Sequence, residues 1–138
     1  MYTAPFRYLR APSLGEAEKL FSQSSDAKYL AGGQTLIPTM KQRLAAPSDL
    51  IDLTRIAGLS FIRATSENVT IGAATTHAEV AASPDVKRAI PALAKLAGLI
   101  GDPAVRHRGT LGGSIANNDP AADYPAAVLA LEIGRAHV

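Results

Sequence analysis

No secondary-structure pattern persists for long in this 138-residue chain, and that alternation constrains its fold more than any other feature. "FRYLRAP" (residues 6–12) alternates and ends in proline, as a short edge strand does. Ser13 and Glu16 follow at capping-box spacing, and Leu14, Ala17, Leu20 and Phe21 recur at helical intervals. "AKYLAGG" (27–33) reads as a strand running into a turn. "TLIPTMKQRL" (35–44) reads as a helix that tolerates Pro38 only near its first turn. "DLIDLTRI" (49–56), "LSFIRAT" (59–65) and "NVTIGAAT" (68–75) read as three short strands. Thr75 or Thr76 caps a short helix, "HAEVAAS" (77–83), with Glu79 placed for a capping box. "PDVKRAIPALAKLAGLIG" (84–101) reads as one helix stopping at Gly101, and "AADYPAAVLAL" (121–131) as a buried helix. Strands and helices interleave throughout, so the expected class is α+β, built from α/β lobes.

Composition narrows the function. A chain of this size buries about 65–70% of its unfolded surface, and 47% hydrophobic residues are enough to do so. The net charge is only +2 and no Lys/Arg run exceeds two residues, which leaves nucleic-acid binding without a footprint. The absence of cysteine excludes disulfides, thiolate zinc sites and any iron–sulfur cluster held by these residues. The start of the chain has no signal-peptide core and no apolar run reaches 18 residues, so no membrane span is expected and the cytoplasm is the default location. The final "EIGRAHV" (132–138) corresponds to one reading frame of a sequencing adaptor. It is expected to be non-native and is set apart from residues 1–131.

Two glycine pairs carry the chemistry. "AGGQT" (31–35) and "TLGGS" (110–114) each precede a helical stretch and each end in a hydroxyl residue. Glycine reaches positive φ and has no Cβ to block approach, so successive N–H groups can converge on an anion, helped by a following helix N-terminus. Thr35 and Ser114 can add hydroxyl donors. The alternative is that each pair only makes a tight turn, and the residues alone leave the two readings even. Neither G-x-x-x-x-G-K-[ST] nor G-x-G-x-x-G occurs, which removes the main support for kinase, ATPase or nicotinamide-dehydrogenase chemistry. Asp119 and Asp123 would repel a phosphate; one of them is expected to cap a helix, and either suits ligand hydroxyls. Arg106 and Arg108 read as solvated, with steering of an anion the second possibility. His77 and His107 lack a third ligand at matching spacing, so no metal site is expected, and no general acid, base or nucleophile is nominated.

Three stretches in order, "AGGQTLIPTMKQRLAAPSDLIDLTRI" (31–56), "TIGAATTHAEV" (70–80) and "RHRGTLGGSIANNDPAADYPAAVLAL" (106–131), resemble the FAD-binding medium subunit of the molybdenum hydroxylases. That family includes aerobic carbon monoxide dehydrogenase and bacterial xanthine dehydrogenase-type enzymes. The resemblance runs from Phe6 to Leu131. It implies an FAD-binding fold of the vanillyl-alcohol-oxidase/p-cresol-methylhydroxylase type, of which residues 1–131 supply the first lobe and part of the second, with the remainder of the subunit beyond them. It implies that Leu30, Ala31, Gly32, Gly33, Gln34, Thr35, Leu36 and Ile37 wrap the FAD diphosphate. Thr110, Leu111, Gly112, Gly113 and Ser114 would touch the diphosphate and ribityl region, Asp123 would be a flavin-site acid, and Ile100 would lie against the cofactor. Gln34 and Thr35 stand where many relatives carry His or Gln and Ser, a conservative change.

The implied partners are a molybdenum-binding large subunit and a 2Fe-2S small subunit, in a complex that can associate peripherally with a membrane. Electrons would pass from the clusters through FAD to a quinone, NAD or oxygen, and residues 1–131 alone are expected to be inactive. Two rivals stand beside this: a phosphate-binding or structural subunit that has lost its flavin, and a stand-alone flavin oxidase.

Overall fold

The structure, a computed structural model, describes residues 1–134. It divides into two compact units, Met1–Leu59 and Ser60 onward. Of the seven-residue tail set apart above, residues 135–138 lie outside the described residues. Ile133 packs against a hydrophobic cluster, and its N–H donates to the Val128 carbonyl at 2.9 Å.

The first unit is a three-stranded parallel sheet with two helices. β1 (Arg7–Arg10), α1 (Leu14–Ser22), β2 (Ala27–Leu30), α2 (Leu36–Lys41) and β3 (Asp49–Asp52) follow in chain order. The strand order is β1-β3-β2, so β3 pairs on both sides and β1 is an edge strand, as its proline boundary predicts. Every residue of β3 is buried. Ser13 Oγ accepts the Glu16 N–H at 3.2 Å and starts α1. Ala17 of α1 joins Ala11, Ala27, Ile51 and Ile56 in the unit's core. Pro38 occupies the third position of α2, where its missing N–H costs no helical bond.

The second unit pairs β4 (Ile62–Ala64) with β5 (Val69–Ile71) in an antiparallel ribbon and continues through six helices. These are α3 (His77–Ala82), α4 (Pro84–Ala89), α5 (Pro91–Leu99), α6 (Pro103–Arg106), α7 (Leu111–Asn117) and α8 (Asp123–Ala130). Val80, Val86, Leu93, Ala94, Ala97, Tyr124 and Ala127 form the core, flanked by Ile62, Val69 and Ile71 from the ribbon. Thr76 and Glu79 complete both halves of the capping box ahead of α3.

Three expectations change. Residues 84–101 form two helices, because Pro91 has no N–H to continue the ladder and forces Ile90 out of the helical region, to φ −139°, ψ 68°. Gly101 follows α5 with φ +51°, the left-handed conformation of a helix stop. Residues 103–106 are a helical turn that was not expected, started by the Asp102 side chain on the Val105 N–H and by Pro103 at its first position. Finally, α8 is buried on one side only: Tyr124 is fully buried whereas Leu129 is 80% exposed. The mixture of a parallel sheet, an antiparallel ribbon and helices is α+β.

Candidate functional site

The first glycine pair lies at the carboxyl end of β2, directly before α2. In open parallel sheets, that end of the strands is where ligands bind. Gly33 sits at φ +72°, a conformation that strains any L-residue. A Cβ there would also press on Ile37 Cγ1 at 3.1 Å and Leu30 Cδ1 at 3.2 Å. The Gly33 carbonyl accepts the Ile37 N–H at 3.0 Å, and the Thr35 carbonyl accepts from Thr39. The carbonyls are thereby turned into the helix. The N–H groups of residues 32–35 find no acceptor among the described residues. Thr35 is the N-cap residue of α2 yet makes no side-chain cap bond, and no acid lies in the first turn of α2. The result is a short run of backbone and hydroxyl donors without a nearby carboxylate in its own loop, a cradle for an anion.

Neighbouring β3 braces this end of the sheet. Asp52, opposite Leu30 in register, accepts hydrogen bonds from the Tyr8 hydroxyl and, at 2.7 Å, from the Thr54 N–H. The Leu53 N–H donates to the Leu30 carbonyl at 2.9 Å, closing the strand pair where the glycine loop departs.

The second glycine pair is built differently. Residues 111–117 are helical, and Thr110 is the N-cap: its Oγ1 accepts the Gly113 N–H at 3.0 Å. The Leu111 N–H donates to the Thr75 carbonyl at 3.0 Å, the Gly112 N–H to Ala73 at 2.8 Å, and the Ser114 N–H to Thr110 at 3.0 Å. The converging free donors expected of an anion loop are therefore a feature of residues 32–35, while those of 111–114 are taken up inside their own unit. Gly112 is required for a different reason. A Cβ would lie 2.6 Å from Ala73 Cβ and 2.7 Å from its carbonyl oxygen, so only glycine lets α7 approach that segment.

Asp123 is exposed at the first position of α8, whose N-cap is Ala122. Neither acid caps a helix as expected: Asp119 instead closes a turn ahead of α8, accepting the Ala121 N–H at 2.9 Å. Ile100 is half-buried against the core, and its carbonyl, with that of Gly101, accepts from the Arg106 guanidinium at 3.1 and 3.0 Å. Arg106 is thus a structural tie rather than the solvated or steering residue expected from its sequence.

The sequence marks His77 only as a metal ligand without enough partners, yet the fold gives it a distinctive setting. His77 is buried, and its ring lies 5.2 Å from that of Tyr124 at a 45° tilt. Burial pushes its pKa down, opposed by the charge of Asp123, so the ring is held toward its neutral form. Burial likewise pushes the Tyr124 phenol up. His77 Nδ1 and Tyr124 Oη both lack a hydrogen-bond partner among the described residues. No His, Cys, Asp and Glu group capable of holding a metal occurs among them. None of their helices is long and apolar enough to cross a membrane.

Known proteins are similar to this chain in sequence and in backbone. The carbon monoxide dehydrogenase medium chain of Hydrogenophaga pseudoflava is 48% identical over 128 residues, which cover 92% of this chain and 45% of that one. The alpha subunit of the 6-hydroxypseudooxynicotine dehydrogenase complex of Paenarthrobacter nicotinovorans is 41% identical over 128 residues, 92% of this chain and 43% of its own length. A solved structure of the Hydrogenophaga pseudoflava carbon monoxide dehydrogenase, lacking the Mo-pyranopterin moiety of its cofactor, superposes with a TM-score of 0.91 over 94% of this chain and 46% of that one. The chain thus spans somewhat under half the length of these relatives. Residues 4–133 match the model of the FAD binding domain in molybdopterin dehydrogenase, and the chain belongs to that family.

Proposed function

We propose that this chain holds FAD within the electron-transfer subunit of a molybdenum hydroxylase, in a fold of the vanillyl-alcohol-oxidase/p-cresol-methylhydroxylase type. The observation that carries the reading is the donor row at residues 32–35, set behind a positive-φ Gly33 in a chain of this family. A diphosphate fits it: the donors are backbone N–H groups and the Thr35 hydroxyl, and residues 30–37 contain no acid that would repel it. Gln34 is partly engaged, its Nε2 reaching the Gly32 carbonyl at 3.3 Å. Leu30 and Ile37 flank Gly33 with apolar side chains, and Leu36 would add a further apolar contact to the cofactor.

In the second unit, residues 110–114 would meet the cofactor through the Ser114 hydroxyl and the side of Gly113 that has no side chain, since the N–H groups of residues 111–114 are engaged. Asp123, exposed and not occupied in capping, would accept from flavin or ribityl hydroxyl and N–H groups, and Ile100 would give an apolar contact. FAD, when bound, supplies the redox chemistry, accepting single electrons and delivering pairs. The protein binds and orients; none of these residues is assigned as a general acid or base. The complex is proposed to include a molybdenum-binding large subunit and a 2Fe-2S small subunit, in keeping with a medium-chain relative, and to hand electrons to a quinone, NAD or oxygen.

The visible spectrum of the full-length protein tests the proposal. Bound flavin is expected in the wild type. Gly33→Val is expected to abolish it with far-UV circular dichroism near normal, because the branched side chain blocks the cradle and opposes φ +72°. A colourless wild type that takes up no flavin on reconstitution would sink the FAD assignment and favour a structural subunit.

A further inference from the structure

The stretch at residues 70–80 resembles its family counterpart, yet the proposed function gives it no task. We propose that His77 is a positioning residue for the second glycine loop, bracing residues 109–112 and tying them to α8, the helix that begins with Asp123.

Backbone pairing sets the loop against this stretch. The His77 N–H donates to the Gly109 carbonyl at 3.0 Å, while the Leu111 and Gly112 N–H groups donate to Thr75 and Ala73. Thr76 and Thr110 form an antiparallel bridge between them. The imidazole then fixes how close the two segments come. A Cβ on Gly109 would fall 2.6 Å from His77 Nε2 and 2.8 Å from Cδ2, so the ring fills the space a side chain at 109 would need. The ring also meets Tyr124, which is fully buried in the core and follows Asp123 directly. A single ring therefore touches the approach to residues 110–114 and the residue after Asp123, the two segments of this unit proposed to face FAD. Ligand-contacting groups need supports locked by packing to within about 0.5 Å. His77 Nδ1 makes no hydrogen bond among the described residues, so ring shape rather than hydrogen bonding carries the role.

The inference rests on the FAD reading, and its test separates the two. In the full-length protein, FAD affinity is read by flavin fluorescence on titration of apoprotein, and amide hydrogen exchange at Leu111 and Gly112 is read without FAD. His77→Ala is expected to weaken FAD binding about tenfold or more and to speed exchange at both amides, whereas His77→Phe, which keeps a ring, stays within about threefold on both. Gly109→Ala should weaken binding as well, and adding His77→Ala to it should cost less than the two single losses combined, because the ring that the new Cβ meets is gone. Unchanged exchange and affinity in His77→Ala overturn the proposal, as do a His77→Phe variant no better than His77→Ala, or losses that simply add. If the wild type binds no FAD, the cofactor reading fails and the exchange comparison alone decides the bracing.

Discussion

Asp49 opens the central strand β3 with its side chain 1% exposed, a placement that demands partners. It has three: the Arg7 guanidinium at 2.6 Å, and the hydroxyls of Ser24 and Ser48. The Arg7 hydrogen bond, followed by those of the serines, holds the carboxyl at about 2, below its ordinary 3.8. The folded state therefore binds this proton less readily than the unfolded chain does. Its stabilising contribution is complete above about pH 4 and is lost as pH falls toward about 2. Denaturant titrations of wild type and Asp49→Asn are expected to diverge at neutral pH and to converge across that window. A gap that is constant with pH would show that the ionised form contributes nothing. Tyr124 is the opposite case, a buried hydroxyl without a partner among the described residues. Tyr124→Phe removes the desolvated group and keeps the ring, so the thermal midpoint should hold or rise. Tyr124→Ala should cost about 3–5 kcal/mol through the cavity it leaves.

At the scale of elements, what could be read from sequence was what local chemistry decides. The capping box of Thr76 and Glu79 needs only four residues, and the structure contains both of its bonds, at 3.2 and 2.7 Å. The edge position of β1, the helices after Ser13 and Thr35, and the stop at Gly101 are likewise set by neighbours in sequence. The break at Pro91 was equally local and was outweighed by the apolar periodicity on either side of it. Other features depend on distant residues. Glycine at 112 and 113 argues against a helix, yet α7 forms because residues 73–75 accept its first N–H groups and leave no room for a Cβ. The purpose of His77 was hidden for the same reason: Gly109 and Tyr124 reach it only in the folded chain. Both glycine pairs were legible as special backbone, but which one keeps its donors free was not. Thr76→Ala tests the local part. It should cost about 1 kcal/mol, while Thr76→Ser, which keeps the oxygen that accepts from Glu79, should recover most of that in denaturant titration. Equal losses in the two variants would assign the effect to the methyl group's packing instead.

At the scale of the molecule, each unit has a core of its own, and the cores differ in construction. The first centres on a strand buried along its whole length, whose acids at both ends are satisfied by hydrogen bonds. The second is a helical cluster in which small residues, Ala94, Ala97 and Ala127, let α5 and α8 pack around Leu93 and Tyr124. Close approach of this kind leaves little slack, so a deleted side chain is replaced by a cavity rather than by collapse. Leu93→Ala should therefore cost about 2–5 kcal/mol. Because cooperative units follow the cores that hold them, the loss should surface first as faster amide exchange in α3, α5 and α8, with β3 amides still protected. Uniform loss across β3 and α5 would instead make the described chain a single cooperative unit. In that case a defect in either core would reach both glycine loops, and flavin occupancy would follow global stability rather than the loop that was changed.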